Sequence, residues 1–259
     1  MSPRKFHVLI SNDDGIDAPG IYALVREMRK IAEVTVVAPD KQQSAIGHAI
    51  TMSYPLRAVP FRKDGEFFGT AVEGTPADAV KLGVRFLMKK KPDLLISGIN
   101  HGSNTAINIL YSGTVSAATE GTLLGIPSIA LSLTTHDPAD FSYAAAFGAR
   151  LARVVVDKGL PSGTLLNVNV PAVPEAQIAG VRVTRQGESV WEDTFEARRD
   201  PANREYFWLT GRMHVTDTDP LTDQVAVGEK YISITPIHYE LTDRSTLEAM
   251  AGWHLEKLK

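Results

Sequence analysis

The chain has 259 residues, 44% of them hydrophobic and 22% charged, a globular balance with enough length to bury a sizeable core. A formal net charge of -3 gives no overall attraction to nucleic acid or to an anionic membrane surface. The lack of cysteine excludes a disulfide framework, a thiolate metal site and a cysteine nucleophile, and it suits a reducing compartment.

The N-terminal stretch "MSPRKFHVLI" has basic residues, but its apolar run is too short for a signal-peptide core and leads into acidic residues. No run approaches the roughly 20 apolar residues that a membrane span needs. A cytoplasmic location with no membrane partner is expected. The first strand is predicted in "FHVLIS" (6–11) and the first helix in "PGIYALVREMRKIA" (19–32), with Pro19 suited to a first helical turn. "VTVVAP" (34–39) is the second strand, and 50–72 reads as a less regular stretch holding a hairpin. In "GTPADAVKLGVRFLMKK" (74–90), Thr75 can cap, Pro76 takes the first helical position and Asp78 stands three residues past the cap.

"DLLISG" (93–98) is the third strong strand, followed by a helix in "TVSAATEGTLLG" (114–125) and a strand in "PSIALS" (127–132). A helix over 141–157 and a strand over 163–170 follow. Strands that are apolar on both faces and alternate with helices predict a parallel sheet covered on both sides. After Pro171 the texture changes. "VRVTRQ" (181–186), "REYFWLTG" (204–211) and "KYISITPI" (230–237) are strand-like without intervening helices, and Ser245 with Glu248 predicts a capping box on a terminal helix. The fold class is therefore α/β: a three-layer, Rossmann-like fold with a mostly parallel sheet, plus a C-terminal extension of antiparallel strands and a terminal helix. The division expected is a catalytic core over 1–175 and an extension over 176–259.

Open parallel sheets bind ligands outside the carboxyl ends of their strands. Asp13 and Asp14 follow the first strand, Ser44 lies a few residues beyond the second, and Asn100 follows the third. All three segments should reach the same edge of the sheet. Neighbouring carboxylates raise each other's pKa, a conflict that a divalent cation removes. Asp13, Asp14, the Ser44 hydroxyl and the Asn100 amide form an all-oxygen set suited to Mg²⁺ or Mn²⁺. Each residue has a plainer reading: Asp-Asp-Gly as a turn, Ser44 as a local cap, Asn100 as a loop residue holding its own backbone. Their joint placement after three successive strands favours the metal.

"YSGTVSAATEG" (111–121) puts Ser112, Gly113 and Thr114 where a helix begins, so amides and the positive end of the dipole can face a phosphate. The plainer reading is an ordinary capped start. The long polar loop from Ile99 to Tyr111 favours the ligand, and Asn104 within it adds a donor. His101 reads as a hydrogen-bonded loop histidine ahead of a proton donor to a leaving group. No G-x-x-x-x-G-K-[ST], G-x-G-x-x-G, G-x-S-x-G or H-E-x-x-H pattern occurs, which disfavours a P-loop, a dinucleotide site, a serine hydrolase and catalytic zinc. A phosphoaspartyl enzyme wants a second aspartate two positions after the nucleophile. Gly15 and Ile16 stand there instead.

"ISNDDGIDAPG", "VVAPDKQQSAIGHAIT", "PDLLISGINHGSN" and "YSGTVSAATEG" together make the chain resemble the SurE family of stationary-phase survival proteins, metal-dependent 5′-nucleotidases. The resemblance covers the whole α/β part. It implies hydrolysis of nucleoside monophosphates with one divalent cation per subunit, with 3′-nucleotides and short polyphosphate as further substrates. On the matching positions, Asp13, Asp14, Ser44 and Asn100 would be the metal ligands. It also implies a homodimer or homotetramer joined through C-terminal strands and helix, and no nucleic-acid partner. Direct hydrolysis by water follows, with either aspartate placed to take a proton, and with Gly113 and Thr114 amides, the Ser112 and Thr114 hydroxyls and Asn104 steadying the phosphate. Two rivals are a phosphatase acting on polyphosphate or sugar phosphate, and a non-catalytic nucleotide sensor. Phe67, Phe68, Tyr111 and Trp191 are the aromatic candidates for base recognition, each equally suited to a core or an interface.

Overall fold

The computed structural model describes residues 5–258; positions 1–4, where the basic N-terminal stretch begins, and position 259 lie outside the described residues. In chain order the elements are β1 (His7–Ser11), α1 (Pro19–Met28), β2 (Glu33–Pro39), β3 (Arg57–Lys63), β4 (Glu66–Glu73), α2 (Pro76–Leu82), β5 (Leu94–His101), α3 (Asn108–Tyr111) and α4 (Gly113–Leu123). Then come β6 (Ser128–Leu133), α5 (Ser142–Lys158), β7 (Thr164–Val170), β8 (Gly180–Val183), β9 (Val190–Arg199), β10 (Glu205–His214), α6 (Asp223–Gly228), β11 (Tyr231–His238) and α7 (Arg244–Met250).

Nine strands form one sheet in the order β3-β4-β2-β1-β5-β6-β7-β11-β8. From β4 across to β7 every pairing is parallel, as the doubly apolar strands predict. The alternation of strand side chains divides the core in two. Val8 and Ile10 of β1, with Leu94 and Ile96 of β5, face α1 and α5. Leu9 and Leu95, one residue out of phase, face α2 and α4. All six are fully buried, each contributing about 1.5–3 kcal/mol relative to exposure. This is the three-layer arrangement.

The hairpin expected within 50–72 is the antiparallel pair β3–β4. Thr75 caps α2 through the capping box with Asp78, behind Pro76. That helix stops at Leu82 and continues as one π turn over Gly83–Leu87, shorter than the pattern to residue 90. The terminal helix corrects one expectation. Its cap is Asp243, whose side chain accepts from the Thr246 backbone N–H at 3.0 Å. Ser245 instead donates its hydroxyl to Asp243 at 2.6 Å. One carboxylate oxygen, Oδ1, accepts both, and Oδ2 accepts the Thr246 hydroxyl at 2.8 Å.

After residue 175 the chain does two different things. β11 pairs antiparallel with β7, and β8 pairs parallel with β11, so both extend the main sheet. β9 and β10 form a separate antiparallel ribbon, most of it exposed. β9 and α6 were not anticipated by the sequence pattern.

The strands reverse their direction of progress between β1 and β5, which makes the carboxyl ends of these two strands the switch point of the sheet. α1 crosses β5 so closely there that a Cβ on Gly20 would lie 2.1 Å from the Ile99 carbonyl oxygen. Gly to Ala in a helix ordinarily gains about 1 kcal/mol. At Gly20 the sign should reverse, with Gly20→Ala costing about 1–3 kcal/mol through overpacking, read as a lower denaturant midpoint.

Candidate functional site

β1 ends at Ser11, and the next three residues turn out of the sheet. The Asn12 side chain donates to the Gly15 carbonyl at 2.8 Å, closing the turn. Gly15 has φ +95° and its Cβ position would lie 3.0 Å from Lys41 backbone, so a side chain is disfavoured on both counts. Backbone bonds from Ile16 to Pro39 and from Gln43 to Asp13 then dock the turn against the loop after β2.

Asp13 is buried at 6% exposure. Its Oδ1 accepts the Thr114 hydroxyl, and the Thr114 backbone N–H also points at the carboxylate. α4 can approach this closely because its first residue is glycine: a Cβ on Gly113 would stand 2.7 Å from that of Asp13. Burial pushes the Asp13 carboxyl up from 3.8 to about 6, with the Asp14 charge adding and the Thr114 bonds opposing. Asp14 accepts the His101 backbone N–H at 3.0 Å, and burial raises its pKa too.

Asn100 lies where β5 loses register with β6, between Gly98 and Asn100. Its Nδ2 donates to the Gly102 carbonyl at 2.8 Å, which orients the amide and leaves Oδ1 with no donor among the described residues. Ser44 is exposed and accepts from Gln42 Nε2 at 2.8 Å. The loop carrying it is tied down by Gly47 to the Tyr111 carbonyl, by His48 to Glu120 at 3.1 Å, and by Thr51 to Asp78 at 3.0 Å. Burial pushes Glu120 up, but its bonds to His48 and to Lys81, the latter at 3.0 Å, outweigh this and hold it below the ordinary carboxylate range.

Asp13, Asp14, Ser44, Asn100, Asn104 and Ser112 all line one cavity of about 350 Å³. Gly113 and Thr114 do not line it. They sit beneath Asp13, and the Thr114 hydroxyl is engaged with that carboxylate instead of facing the cavity. Ser112 Oγ caps α4 by accepting from Val115 at 3.1 Å, leaving its hydrogen free to donate. His101, the last residue of β5, lines the same cavity, and its Nε2 donates to the Asp137 carbonyl at 2.6 Å. Asn104 is clamped: its N–H donates to Asn169 Oδ1 at 2.8 Å, its carbonyl accepts from Asn167 at 2.7 Å, and its own Nδ2 donates to Ser132 at 2.9 Å.

Three residues outside the anticipated set, Asn167, Asn169 and Asp223, shape the site together with Trp191, one of the aromatic candidates. Asn167 and Asn169 share one face of β7, and the sequence carries a signal for them, two amides at i and i+2 in an otherwise apolar strand. Asp223, fully buried, accepts from the backbone N–H groups of Ala106, Gly187 and Gln224 at 3.0, 3.0 and 2.8 Å. It holds Ala106 in left-handed backbone at φ 51°, with Gln186 on the Ala106 carbonyl. Trp191 donates its indole N–H to Asn108 Oδ1 at 2.6 Å. No local pattern marks the bond of Asp223 with Ala106 or that of Trp191 with Asn108, which span 117 and 83 residues.

Comparison with known proteins gives these features a context. The family model "Survival protein SurE" matches residues 8–193. The chain belongs to the SurE family. Similar relatives named "5′-nucleotidase SurE" are those of Chlorobium chlorochromatii, 48% identical over 97% of this chain and 92% of the relative, and of Syntrophobacter fumaroxidans, 48% identical over 96% and 99%. The crystal structure of the SurE protein from Aquifex aeolicus superposes with a TM-score of 0.82 at 39% identity, covering 94% of this chain and 98% of that one. The family model ends at residue 193, four residues into β9, so the rest of the ribbon and everything after it lie beyond the segment it matches.

The raised Asp13 pKa reverses the usual sign of acid dependence. The folded carboxyl binds its proton near pH 6 and the unfolded one near 3.8, so folding takes up a proton in between. Stability of chelator-treated protein should fall as pH rises from about 4 to about 6.5, by at most about 3 kcal/mol. Asp13→Asn should flatten that segment of the stability curve, measured by urea denaturation at each pH.

Proposed function

We infer that this SurE-family chain is a divalent-metal-dependent 5′-nucleotidase that hydrolyses nucleoside monophosphates to nucleoside and inorganic phosphate. The observation that carries this reading is the convergence of Asp13, Asp14, Ser44 and Asn100 on one cavity at the sheet's switch point. Their donor atoms are two carboxylates, a hydroxyl and an amide oxygen. Among the described residues no three His, Cys, Asp or Glu side chains gather as a softer, nitrogen- or sulfur-rich site would require. An all-oxygen set with two negative charges fits a hard cation, Mg²⁺ or Mn²⁺, one per subunit.

When bound there, such a cation supplies Lewis-acid polarisation of a phosphoryl oxygen and a more acidic water. The chain's own groups do the rest. Asp13, poised near pH 6 and anchored by Thr114, holds its charge in a fixed direction towards the cavity. Asp14, fixed by the His101 N–H, is the more accessible carboxylate and the better placed to take a proton from water. The Ser112 hydroxyl can donate to a phosphate oxygen, as can the second Nδ2 hydrogen of Asn104. Gly113 and Thr114 contribute by fixing Asp13.

The finer reading extends to 3′-nucleotides and short polyphosphate as secondary substrates, and to a cytoplasmic enzyme. It divides the chain at about residue 175 into a catalytic core and an extension used for self-association as a dimer or tetramer. Exposed Phe195, Phe207 and Trp208 on the ribbon, with Leu247 and Trp253 at the terminal helix, support that use of the extension. No helix among the described residues is long and apolar enough to cross a membrane.

The test is phosphate release from AMP by chelator-stripped protein with Mn²⁺ or Mg²⁺ added back. Release should require the metal. Asp13→Asn and Asp14→Asn should each lower kcat at least about a hundredfold. Added Mn²⁺ should also raise the Tm of the wild type more at pH 7.5 than at pH 5, because protons compete for the same carboxylates. Metal-independent release, or both variants retaining full turnover, would overturn the assignment.

A further inference from the structure

The cavity beside Asp13 and Asp14 has two chemically distinct ends. Its buried end is polar: Asp13, Asn104 and Ser112 are 6%, 7% and 6% exposed. Its exposed end is apolar and comes from residues that take no part in binding metal or phosphate. Tyr111, just before α4, and Trp191 are 57% and 45% exposed. Both line the cavity, as does Met213. Phe67 and Phe68, the other two aromatic candidates, lie elsewhere: Phe68 is in the core against Tyr22 and Phe61.

Trp191 and Met213 face each other directly across the ribbon, on β9 and β10, so both side chains lie on one face. The indole N–H of Trp191 is engaged by Asn108 Oδ1, which fixes the ring, and among the described residues no aromatic ring or cation stacks on its faces. Asn108 belongs in turn to the loop that Asp223 and Gln186 hold through Ala106. The tryptophan is thus built into the wall of the site. The aromatic residues farther along the ribbon, Phe195 and Trp208, do not line the cavity.

A ligand matching both ends has an anionic head and a flat apolar tail. Resting on the nucleotidase reading above, we infer that Trp191 is the platform on which the base of the bound nucleotide stacks, and so a specificity-determining residue supplied by the C-terminal extension. Every nucleobase has a π face, and stacking on an aromatic side chain needs no particular hydrogen-bond pattern. The phosphate is engaged at the buried end while the base lies against Trp191, with Tyr111 and Met213 completing the wall.

The experiment compares AMP with ribose 5-phosphate, which carries the same phosphate ester and no base, on Mn²⁺-loaded wild type, Trp191→Ala and Trp191→Phe. The ratio of kcat/KM on AMP to that on ribose 5-phosphate should fall about tenfold or more in Trp191→Ala, mostly through the KM for AMP. Trp191→Phe keeps a stacking face and loses the N–H, and should retain most of the ratio. In a Trp208→Phe/Trp253→Phe background, where Trp191 is the one tryptophan of three left, AMP should quench the emission and ribose 5-phosphate should not. An unchanged ratio in Trp191→Ala would overturn the inference. So would a Trp191→Phe that behaves like Trp191→Ala, since the effect would then belong to the bond with Asn108. Wild type that turns over neither ester, or ribose 5-phosphate as well as AMP, would remove the nucleotidase reading itself, and that result is seen before any variant is made.

Discussion

Two adjacent carboxylates, one of them almost fully buried, stand at the end of the first strand, and most of the site's construction answers that electrostatic problem. A buried carboxylate is disfavoured unless hydrogen bonds or opposite charge compensate it. Here the compensation comes from far along the chain. Thr114 and the amino end of α4 reach Asp13, and the His101 N–H reaches Asp14. Even so burial wins, and Asp13 remains raised to about 6. The site is left with an unmet demand for positive charge, which is what makes it suited to a divalent cation.

The same demand accounts for the glycines and for the buried polar groups around the site. Gly15 allows the turn that aims both aspartates, and Gly113 allows a helix to begin against Asp13. The loops themselves have little apolar surface to anchor them. They are fastened instead by polar side chains held inside the fold: Glu120 and Asp78 for the loop carrying Ser44, Asn167 and Asn169 for Asn104. Each of these anchors sits on a helix or strand of the scaffold, so the cavity's geometry is set by rigid elements although Asp13, Asp14, Ser44 and Asn104 are on loops. Surface pairs such as Arg57 with Glu73 play no comparable part, being solvated on both sides.

The C-terminal extension is more than an appendage to this arrangement. β11 and β8 complete the sheet, Asp223 organises the loop behind Asn108, and Trp191 walls the cavity. The loop from Ala106 to Asn108 is tied to the chain beyond residue 175 by three hydrogen bonds, from the Ala106 N–H to Asp223, from Gln186 to the Ala106 carbonyl and from Trp191 of the ribbon to Asn108.

Much of this was legible in the residues. Strand runs apolar on both faces give away the parallel sheet, Thr75-Pro76 and Gly113 mark helix starts, and the carboxyl-end rule gathers Asp13, Asp14, Ser44 and Asn100 at one edge. These are local patterns or consequences of topology, and periodicity carries them. The terminal capping box fails because Ser245 and Asp243 are both competent caps two residues apart, and the Asp243 carboxylate takes the Thr246 N–H together with the Ser245 and Thr246 hydroxyls. The role of Thr114 was misread because a helix start looks the same whether it faces a ligand or a buried aspartate a hundred residues away. Asp223 and Trp191 act through contacts with no periodic trace, whereas the two asparagines of β7 show themselves as amides at i and i+2 of an apolar strand. The sequence alone determined the layers, the sheet edge and the oxygen-rich chemistry of the site. Only the tertiary structure decided which hydroxyls and amides face the cavity and which brace it, because a side chain's hydrogen-bond partners depend on burial and distance that no single stretch of sequence encodes.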